Sequence, residues 1–116
     1  MNEAKIQKAI LDYLKSLGVW CWAFKASICN ERGVPDIICC YRGRFVGLEV
    51  KTARGKPSAI QRAQIRRIRS ALGKAKVVRS VKDVREVFRE MDDDEDDDDE
   101  QDDPQERKEF YRQGMP

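Results

Sequence analysis

The side chains with the clearest chemical potential are Asp36, Glu49 and Lys51. In a β-strand, residues two apart share one face, so Glu49 and Lys51 project together while Leu48 and Val50 face the other way. Two neighbouring carboxylates repel each other unless a cation lies between them, and Mg²⁺ is a hard ion that accepts one or two carboxylates. A lysine on the same face can stabilise negative charge that develops on a phosphate. The three residues together indicate metal-assisted phosphodiester hydrolysis.

The position of Asp36 beside Glu49 depends on the turn between two predicted strands. A two-residue loop at Arg42-Gly43 pairs residues whose numbers sum to 85, which sets Asp36 opposite Glu49 on one face. A three-residue loop without a bulge would place Asp36 on the opposite face, so the register is a structural test of the site. By itself, Glu-x-Lys on a hairpin also fits an ordinary cross-strand ion cluster on a solvated face.

Residue types that are missing narrow the chemistry further. The chain contains no histidine, which excludes a histidine general base and a His-based metal nuclease. The four cysteines lack the paired C-x-x-C spacing of a zinc site. We expect no structural zinc and no small-molecule cofactor. Catalysis therefore has to use carboxylates, lysine and a hard metal ion.

Charge is divided unevenly along the 116 residues. Residues 1–91 hold 20 Lys and Arg against eight acids, a net charge of +12, whereas residues 92–116 hold 13 acids against three basic residues, a net charge of −10. A basic domain favours a polyanionic partner, because neutralised phosphates release condensed counterions. Nucleic acid is favoured over an anionic lipid surface, and general solubility is the alternative explanation of the charge.

Hydropathy gives no sign of a membrane or secretory segment. The longest apolar run, residues 19–24, is far shorter than the ~20 residues that span a bilayer. The first residues alternate charged and apolar types, unlike a secretory signal. We expect a cytoplasmic protein, in the host cytoplasm if the source is viral, with no membrane partner.

The periodicity and turn residues predict an α/β domain with the element order α-β-β-β-α-β-α, a mixed sheet flanked by helices. The predicted domain covers residues 1–91. Residues 92–103 contain eleven acids in twelve residues and are predicted to be disordered, and residues 104–116, with Phe110-Tyr111, have no assigned role. The predicted helices are 3–17, 58–72 and 80 to about 90, and the predicted strands are 19–25, 35–41, 45–51 and 75–79.

The first two helices carry further candidate residues. Glu3 lies in the middle of the apolar stripe of the first helix, where it either complements the helix dipole or points toward a cation. In the second helix, Ser58 and Gln61 form a capping-box pattern, and Ile65, Ile68 and Leu72 form the predicted buried stripe. The predicted DNA-binding residues are Arg62, Arg66 and Arg69 on another face of that helix, together with Lys25, Arg54 and Lys56.

These motifs occur in an order and spacing that resemble the PD-(D/E)XK nuclease superfamily and, more narrowly, its VRR-NUC family. The resemblance extends over roughly residues 2–90. It implies a restriction-endonuclease-like core. The motifs are Gly33-Val34-Pro35-Asp36, Glu49-Val50-Lys51 after twelve residues, Ser58-x-x-Gln61, and Val77-Val78-Arg79-Ser80 with Asp83.

The resemblance also implies roles for individual residues. Lys51 would be the catalytic lysine, and Gln61 would orient that lysine or a water. Glu3 would be the first-helix carboxylate that reaches the metal directly or through water. The implied cofactor is Mg²⁺ or Mn²⁺. The implied metal ligands are Asp36, Glu49, the Val50 carbonyl and Glu3.

Small members of this family resemble Holliday-junction resolvases that act as homodimers, so branched DNA and a second copy are the expected partners. Cleavage of flap or duplex DNA, as a subunit of a repair complex, is an alternative activity. A non-catalytic DNA-binding module is an alternative of a different class. The acidic segment lies outside the family pattern, and it is either a nucleic-acid mimic that covers the basic face or a solvated segment.

Overall fold

One four-stranded sheet organises the molecule, with two helices packed on one face and a third helix on part of the other. The structure, a computed structural model, describes residues 2–24 and 32–98, with side chains through Asp94. The element order is α-β-β-β-α-β-α, as predicted from the sequence. The elements are α1 (Glu3–Ser16), β1 (Trp20–Ala23), β2 (Ile37–Tyr41), β3 (Arg44–Val50), α2 (Ala59–Ser70), β4 (Lys74–Val78) and α3 (Val81–Asp98).

The sheet is mixed, with the strand order β1-β2-β3-β4. The first three strands are antiparallel neighbours, and β4 pairs with β3 in parallel because α2 crosses over between them. Alternate residues of the strands pack with α1 and α3 into the hydrophobic core, which includes Ile10, Leu14, Ile37, Leu48 and Val84. The opposite face of β3 and β4 contacts α2.

The β2–β3 hairpin has the register that the site requires. Arg42 and Gly43 both have positive φ, 52° and 79°, as the two central residues of a type I′ turn do. Every pair in the ladder, from Ile37 opposite Leu48 to Tyr41 opposite Arg44, has residue numbers that sum to 85. The predicted two-residue loop is therefore confirmed.

The start of α2 was predicted correctly, but its end was not. Ser58 Oγ accepts from the Gln61 N–H at 3.1 Å, and the Ser58 N–H donates to Gln61 Oε1 at 2.8 Å, so the capping box is present. The helix ends at Ser70, and Leu72 is 75% exposed rather than buried. Leu72 has a φ of 71°, so the chain turns away toward β4 before a further helical turn can bury its side chain.

Helix α3 continues well beyond the predicted end near residue 90. Met91 is buried in the core, and the Tyr41 hydroxyl donates to Asp92 Oδ1 at 2.9 Å. The Tyr41 ring also stacks on the Phe88 ring, with the ring centroids 4.0 Å apart. These contacts hold α3 against the sheet. The helix includes the first acidic residues, through Asp98. The rest of the predicted acidic tail and Phe110-Tyr111 lie outside the described residues.

Membrane insertion would need a long apolar helix, and none of the helices in the described ranges has that length and composition.

Candidate active site

The candidate active site lies at the C-terminal end of β3, where a carboxylate interrupts an apolar strand. Val46, Leu48 and Val50 point into the core, so Glu49 faces the other side of the sheet. Glu49 is nevertheless only 1% exposed, which makes it the buried charged residue of the described chain. A buried carboxylate is costly unless it is paired or coordinates a cation.

Asp36 is held beside Glu49 by backbone contacts on both sides. Its Oδ2 accepts a hydrogen bond from the Val50 N–H at 2.9 Å, and its carbonyl accepts one from the Phe24 N–H at 2.9 Å. Together with the hairpin register, these contacts place Asp36 and Glu49 on one face of the sheet. The requirement stated from the sequence, that Asp36 and Glu49 share one face of the sheet, is therefore met.

Two glycines allow the segment before Asp36 to approach the rest of the domain. A Cβ at Gly33, which has a φ of 77°, would lie 2.5 Å from Ile60 Cγ2 in the first turn of α2. A Cβ at Gly47 would lie 2.9 Å from Pro35 Cγ. The Gly-Val-Pro-Asp motif therefore has a structural reason, because side chains at these glycines would push the Asp36 segment away from β3 and α2.

Gln61 joins the helix cap to the carboxylate pair. Its Nε2 donates to Glu49 Oε1 at 2.8 Å, while its Oε1 accepts from the Ser58 N–H. The sequence analysis predicted that Gln61 orients Lys51 or a water. The structure places its amide on Glu49, so the residue belongs to the site through a different contact.

Lys51 lies between two carboxylates. Its Nζ is 3.8 Å from Glu49 Oε1 and 3.9 Å from Glu3 Oε1. The Lys51 side chain is 15% exposed, and that of Glu3 is 51% exposed. Helix α1 therefore brings Glu3 to the lysine from the solvent side. This contact explains why an acidic residue lies in the apolar stripe of α1.

The second carboxylate oxygen of Glu49 is the feature that most needs an explanation. Glu49 Oε2 is buried, and no donor within the described part of the chain hydrogen-bonds to it. Burial, then the negative charge of Asp36 and a hydrogen bond to its carboxylate, raise the pKa of the Glu49 carboxyl to about 8, although Lys51 opposes the shift. An orphaned buried oxygen beside a second carboxylate fits a divalent cation.

The site fits a cation that retains several water ligands. In residues 2–24 and 32–98, no three Asp, Glu or Cys side chains come together as a complete metal cage. Two carboxylates, a backbone carbonyl and water are the kind of ligand set that Mg²⁺ prefers. Asp36, Glu49 and the Val50 carbonyl can provide the protein part of such a set, and Glu3 is in contact with Lys51 instead.

Arg79 belongs to a motif that was recognised in the sequence, but its role in this region was not predicted. Its Nη1 donates to the carbonyls of Thr52 and Gly55, at 2.5 and 2.6 Å, and so anchors the loop that follows Lys51. The adjacent backbone of Lys51 donates to the Val78 carbonyl at 3.1 Å. The anchoring could not be predicted, because it depends on the parallel pairing of β3 with β4.

The predicted DNA-binding residues are only partly available for phosphates. Arg69 donates to the Ala75 carbonyl from Nε and Nη2, at 3.0 and 2.8 Å, so its guanidinium connects α2 to β4. Arg62 donates to the Pro57 carbonyl at 2.8 Å but is exposed. Lys25 lies outside the described residues. Arg54, Lys56, Arg66 and Arg67 are also exposed, and of these Arg67 was not predicted.

Two solved structures are similar to this chain in overall fold. One described as a "VRR_NUC domain" matches over 75% of this chain and 94% of its own, with a TM-score of 0.62 and 26% sequence identity. A second, a "VRR_NUC domain protein", matches over 77% of this chain and 86% of its own, with a TM-score of 0.64 and 16% identity. The chain has a VRR-NUC fold.

The VRR-NUC fold confirms the family resemblance of the motifs at the level of structure, and its neighbours indicate a nuclease-type domain. Sequence comparison adds no further match, since neither a family model nor a curated protein corresponds to this chain. The expected fold class and element order are both confirmed.

Proposed function

We propose that this protein is a metal-dependent endonuclease that hydrolyses phosphodiester bonds in DNA. One observation carries the proposal. On a VRR-NUC fold, Glu49 is buried beside Asp36, with one carboxylate oxygen held by Gln61 and the other without a hydrogen-bond donor among the described residues. A site built only for stability would not bury Glu49 beside a second carboxylate, because both groups lose hydration and repel each other.

Asp36, Glu49 and the Val50 carbonyl would hold the ion, with Glu3 able to act through water. The ion would be Mg²⁺ or Mn²⁺, and it would act as a Lewis acid toward a phosphoryl oxygen and make water more acidic. Its positive charge would also remove the repulsion within the carboxylate pair. Asp36 is already positioned for this task by the Val50 N–H.

Lys51 supplies a positive charge from the protein itself, in addition to the charge of the metal ion. Its ammonium group lies 3.8 Å from Glu49 Oε1 and 3.9 Å from Glu3 Oε1. From that position Lys51 can stabilise the negative charge that develops on the scissile phosphate. Water is the nucleophile in this proposal, and no covalent intermediate forms. Exposed Arg54, Lys56 and Arg62 would hold the flanking phosphates.

The preferred substrate in this proposal is branched DNA, cut by a homodimer. Two symmetric incisions in a four-way junction need two active sites in one particle, which a twofold dimer provides. The +12 charge of residues 1–91 supports a nucleic-acid substrate. Flap cleavage remains the second activity to compare, because the same site could act on either DNA structure.

A cleavage assay tests both levels of the proposal. Purified protein is incubated with labelled four-way junction, flap and linear duplex in Mg²⁺, Mn²⁺ or EDTA, and its mass in solution is measured at the same concentration. We expect paired incisions near the branch point, in Mg²⁺ or Mn²⁺ only, from a dimer. Products from the flap alone would replace the junction assignment. DNA binding without a product in either metal would identify a non-catalytic module instead.

A further inference from the structure

Two tryptophans on strand β1 are exposed, although large aromatic side chains are usually buried. Trp20 is 60% exposed and Trp22 is 57% exposed. They are the two tryptophans of the chain. They alternate with the less exposed Cys21 and Ala23, so both project from the same face of the sheet. Exposed aromatic residues that share a face mark an interaction site.

The exposed face is the one that carries the candidate active site. The ladder that pairs β1 with β2 continues past its last strand pair, since the Phe24 N–H donates to the Asp36 carbonyl at 2.9 Å. Phe24, Asp36 and Glu49 therefore lie side by side across the sheet, and their side chains form one row on this face. The next two rows on this face are Trp22, Ile38 and Gly47, then Trp20, Cys40 and Phe45.

Strand geometry gives the distance between Trp22 and Glu49. Successive rows on one face are about 7 Å apart, and β1 lies two strand spacings, about 10 Å, from β3. Trp22 is therefore about 12 Å from Glu49 along the sheet surface, measured between Cα positions. Stacked nucleotides rise about 3.4 Å each, so Trp22 is three to four nucleotides from the carboxylate pair.

Helix α2 borders this surface without covering it. A Cβ at Gly47 would be 3.3 Å from Ile68 Cδ1, so α2 lies over β3. On β1 and β2, Trp20, Trp22 and Cys40 of this face are exposed. At the other end of α2, a Cβ at Gly73 would contact both Ile68 and Phe45. Phe45 is itself 45% exposed. We call Trp20, Trp22 and Phe45 the aromatic patch.

The helix beside the aromatic patch is strongly basic. It contains no acidic residue and four arginines, which are Arg62, Arg66, Arg67 and Arg69. A ligand that spans both surfaces therefore needs flat apolar groups for the patch and negative charges for the helix. Single-stranded nucleic acid has both, because every base offers a π-face and every nucleotide a phosphate.

We propose that the aromatic patch binds unpaired nucleobases that flank the cleavage position, by stacking on Trp20 and Trp22. The inference rests on the proposed nuclease function and adds unpaired bases at or beside the branch point to the branched DNA that it acts on. A second copy of the chain is a poorer occupant. A twofold contact through the patch would bring two arginine-rich α2 helices together, and like charges oppose such an interface.

Intrinsic tryptophan fluorescence reports directly on the aromatic patch, because it contains both tryptophans. The full chain is titrated in EDTA with a thymidine homopolymer, with a strand of equal length that carries abasic sites, and with a hairpin duplex. Binding is followed separately by the anisotropy of a dye on the DNA. We expect the homopolymer to quench tryptophan emission, and the abasic strand and the duplex to bind without comparable quenching.

Substitutions test the same contact through affinity. Replacing Trp20 and Trp22 by alanine is expected to lower affinity for the homopolymer about tenfold or more, with duplex affinity changed less than about twofold. The phenylalanine pair should recover most of the loss, since it keeps aromatic faces. Leu17→Ala is the matched control, because Leu17 is 49% exposed and lies at the end of α1, on the opposite side of the sheet.

The outcomes separate this inference from the nuclease proposal. Quenching by the homopolymer without cleavage of any DNA would support the patch and reject the nuclease. Cleavage without quenching, or the homopolymer failing to bind, would overturn the patch. An alanine pair that changes the oligomeric state and leaves homopolymer affinity unchanged would also overturn it, in favour of a contact between copies.

Discussion

The side-chain amide of Gln61 donates to one carboxylate oxygen of Glu49 at 2.8 Å, while the other oxygen of Glu49 is buried without a hydrogen-bond donor among the described residues. The contact immobilises the carboxylate, because the same amide is also held by the Ser58 N–H at 2.8 Å. Glu49 is therefore oriented before any cation binds. Substituting a residue that orients a metal-binding carboxylate in this way typically costs about 10- to 100-fold in metal affinity or activity.

We predict that Gln61→Ala raises the Mg²⁺ concentration needed for half-maximal cleavage about tenfold or more, while DNA affinity in EDTA stays unchanged. Ser58→Ala is the matched control, because it weakens the same helix cap but keeps the amide on Glu49. Metal titrations of cleavage compare the two variants. Equal effects of both substitutions would assign Gln61 to the helix cap alone.

The raised pKa of Glu49 predicts how stability depends on pH in the metal-free protein. The folded-state value of about 8 lies above the ordinary value of 4.5, so the folded protein binds this proton more tightly than the unfolded chain does. The contribution of Glu49 to stability is therefore complete below about pH 4.5 and is lost as the pH rises through about 8.

Glu49→Gln removes this titration while keeping the size of the side chain. At pH 8 in EDTA, we expect the variant to have a free energy of unfolding at least about 1 kcal/mol higher than that of the natural chain. The difference should shrink toward pH 5. Urea unfolding at the two pH values measures it, and Mg²⁺ should stabilise the natural chain alone. A variant that is less stable at pH 8 would contradict the assigned electrostatics.

Local patterns explain which parts of the structure could be predicted. The Arg42-Gly43 turn, the Ser58 cap and the alternation around Glu49 each depend on a few neighbouring residues, and all three were anticipated. The bonds of Arg69 to Ala75, of Arg79 to Thr52 and of Tyr41 to Asp92 join segments that meet only in the folded chain. The hydrophobic periodicity of the sequence does not indicate such contacts, so the length of α3 and the role of Arg79 were not predicted.

Substitutions at Asp36, Glu49 and Lys51 should impair cleavage without impairing DNA binding. We predict that Asp36→Ala, Glu49→Ala and Lys51→Ala each reduce single-turnover cleavage at least about a hundredfold, because each removes charge stabilisation from the site. Their affinity for DNA should remain close to that of the natural chain.

Lys56→Ala is the matched control for Lys51, since Lys56 is an exposed lysine in the loop that follows β3. It should weaken DNA affinity, mainly at low salt, and leave the cleavage step unchanged at saturating protein. Any one of the three site variants that retains turnover would lose its assigned role. A loss of turnover in Lys56→Ala equal to that in Lys51→Ala would show that the assay reports charge rather than chemistry.

The acidic C-terminal segment offers a final prediction, and the structure changes how it should be tested. Truncation after residue 90 would remove Met91 from the core and Asp92 from its bond to Tyr41, so it would destabilise the domain. Truncation after Asp98 keeps the described part of α3. If residues 99–116 act as a nucleic-acid mimic, this shorter chain should bind DNA more tightly at low salt, and the difference should fade as salt rises.

Replacing the acidic residues of 99–103 by serine or asparagine in the full chain separates charge from length. We expect this variant to match the truncated chain if the acids compete with phosphate for the basic surface, because the attraction depends on charge. Anisotropy titrations at two salt concentrations measure both variants. Affinities equal to that of the natural chain at low salt would show that the segment is solvated and does not cover the basic face.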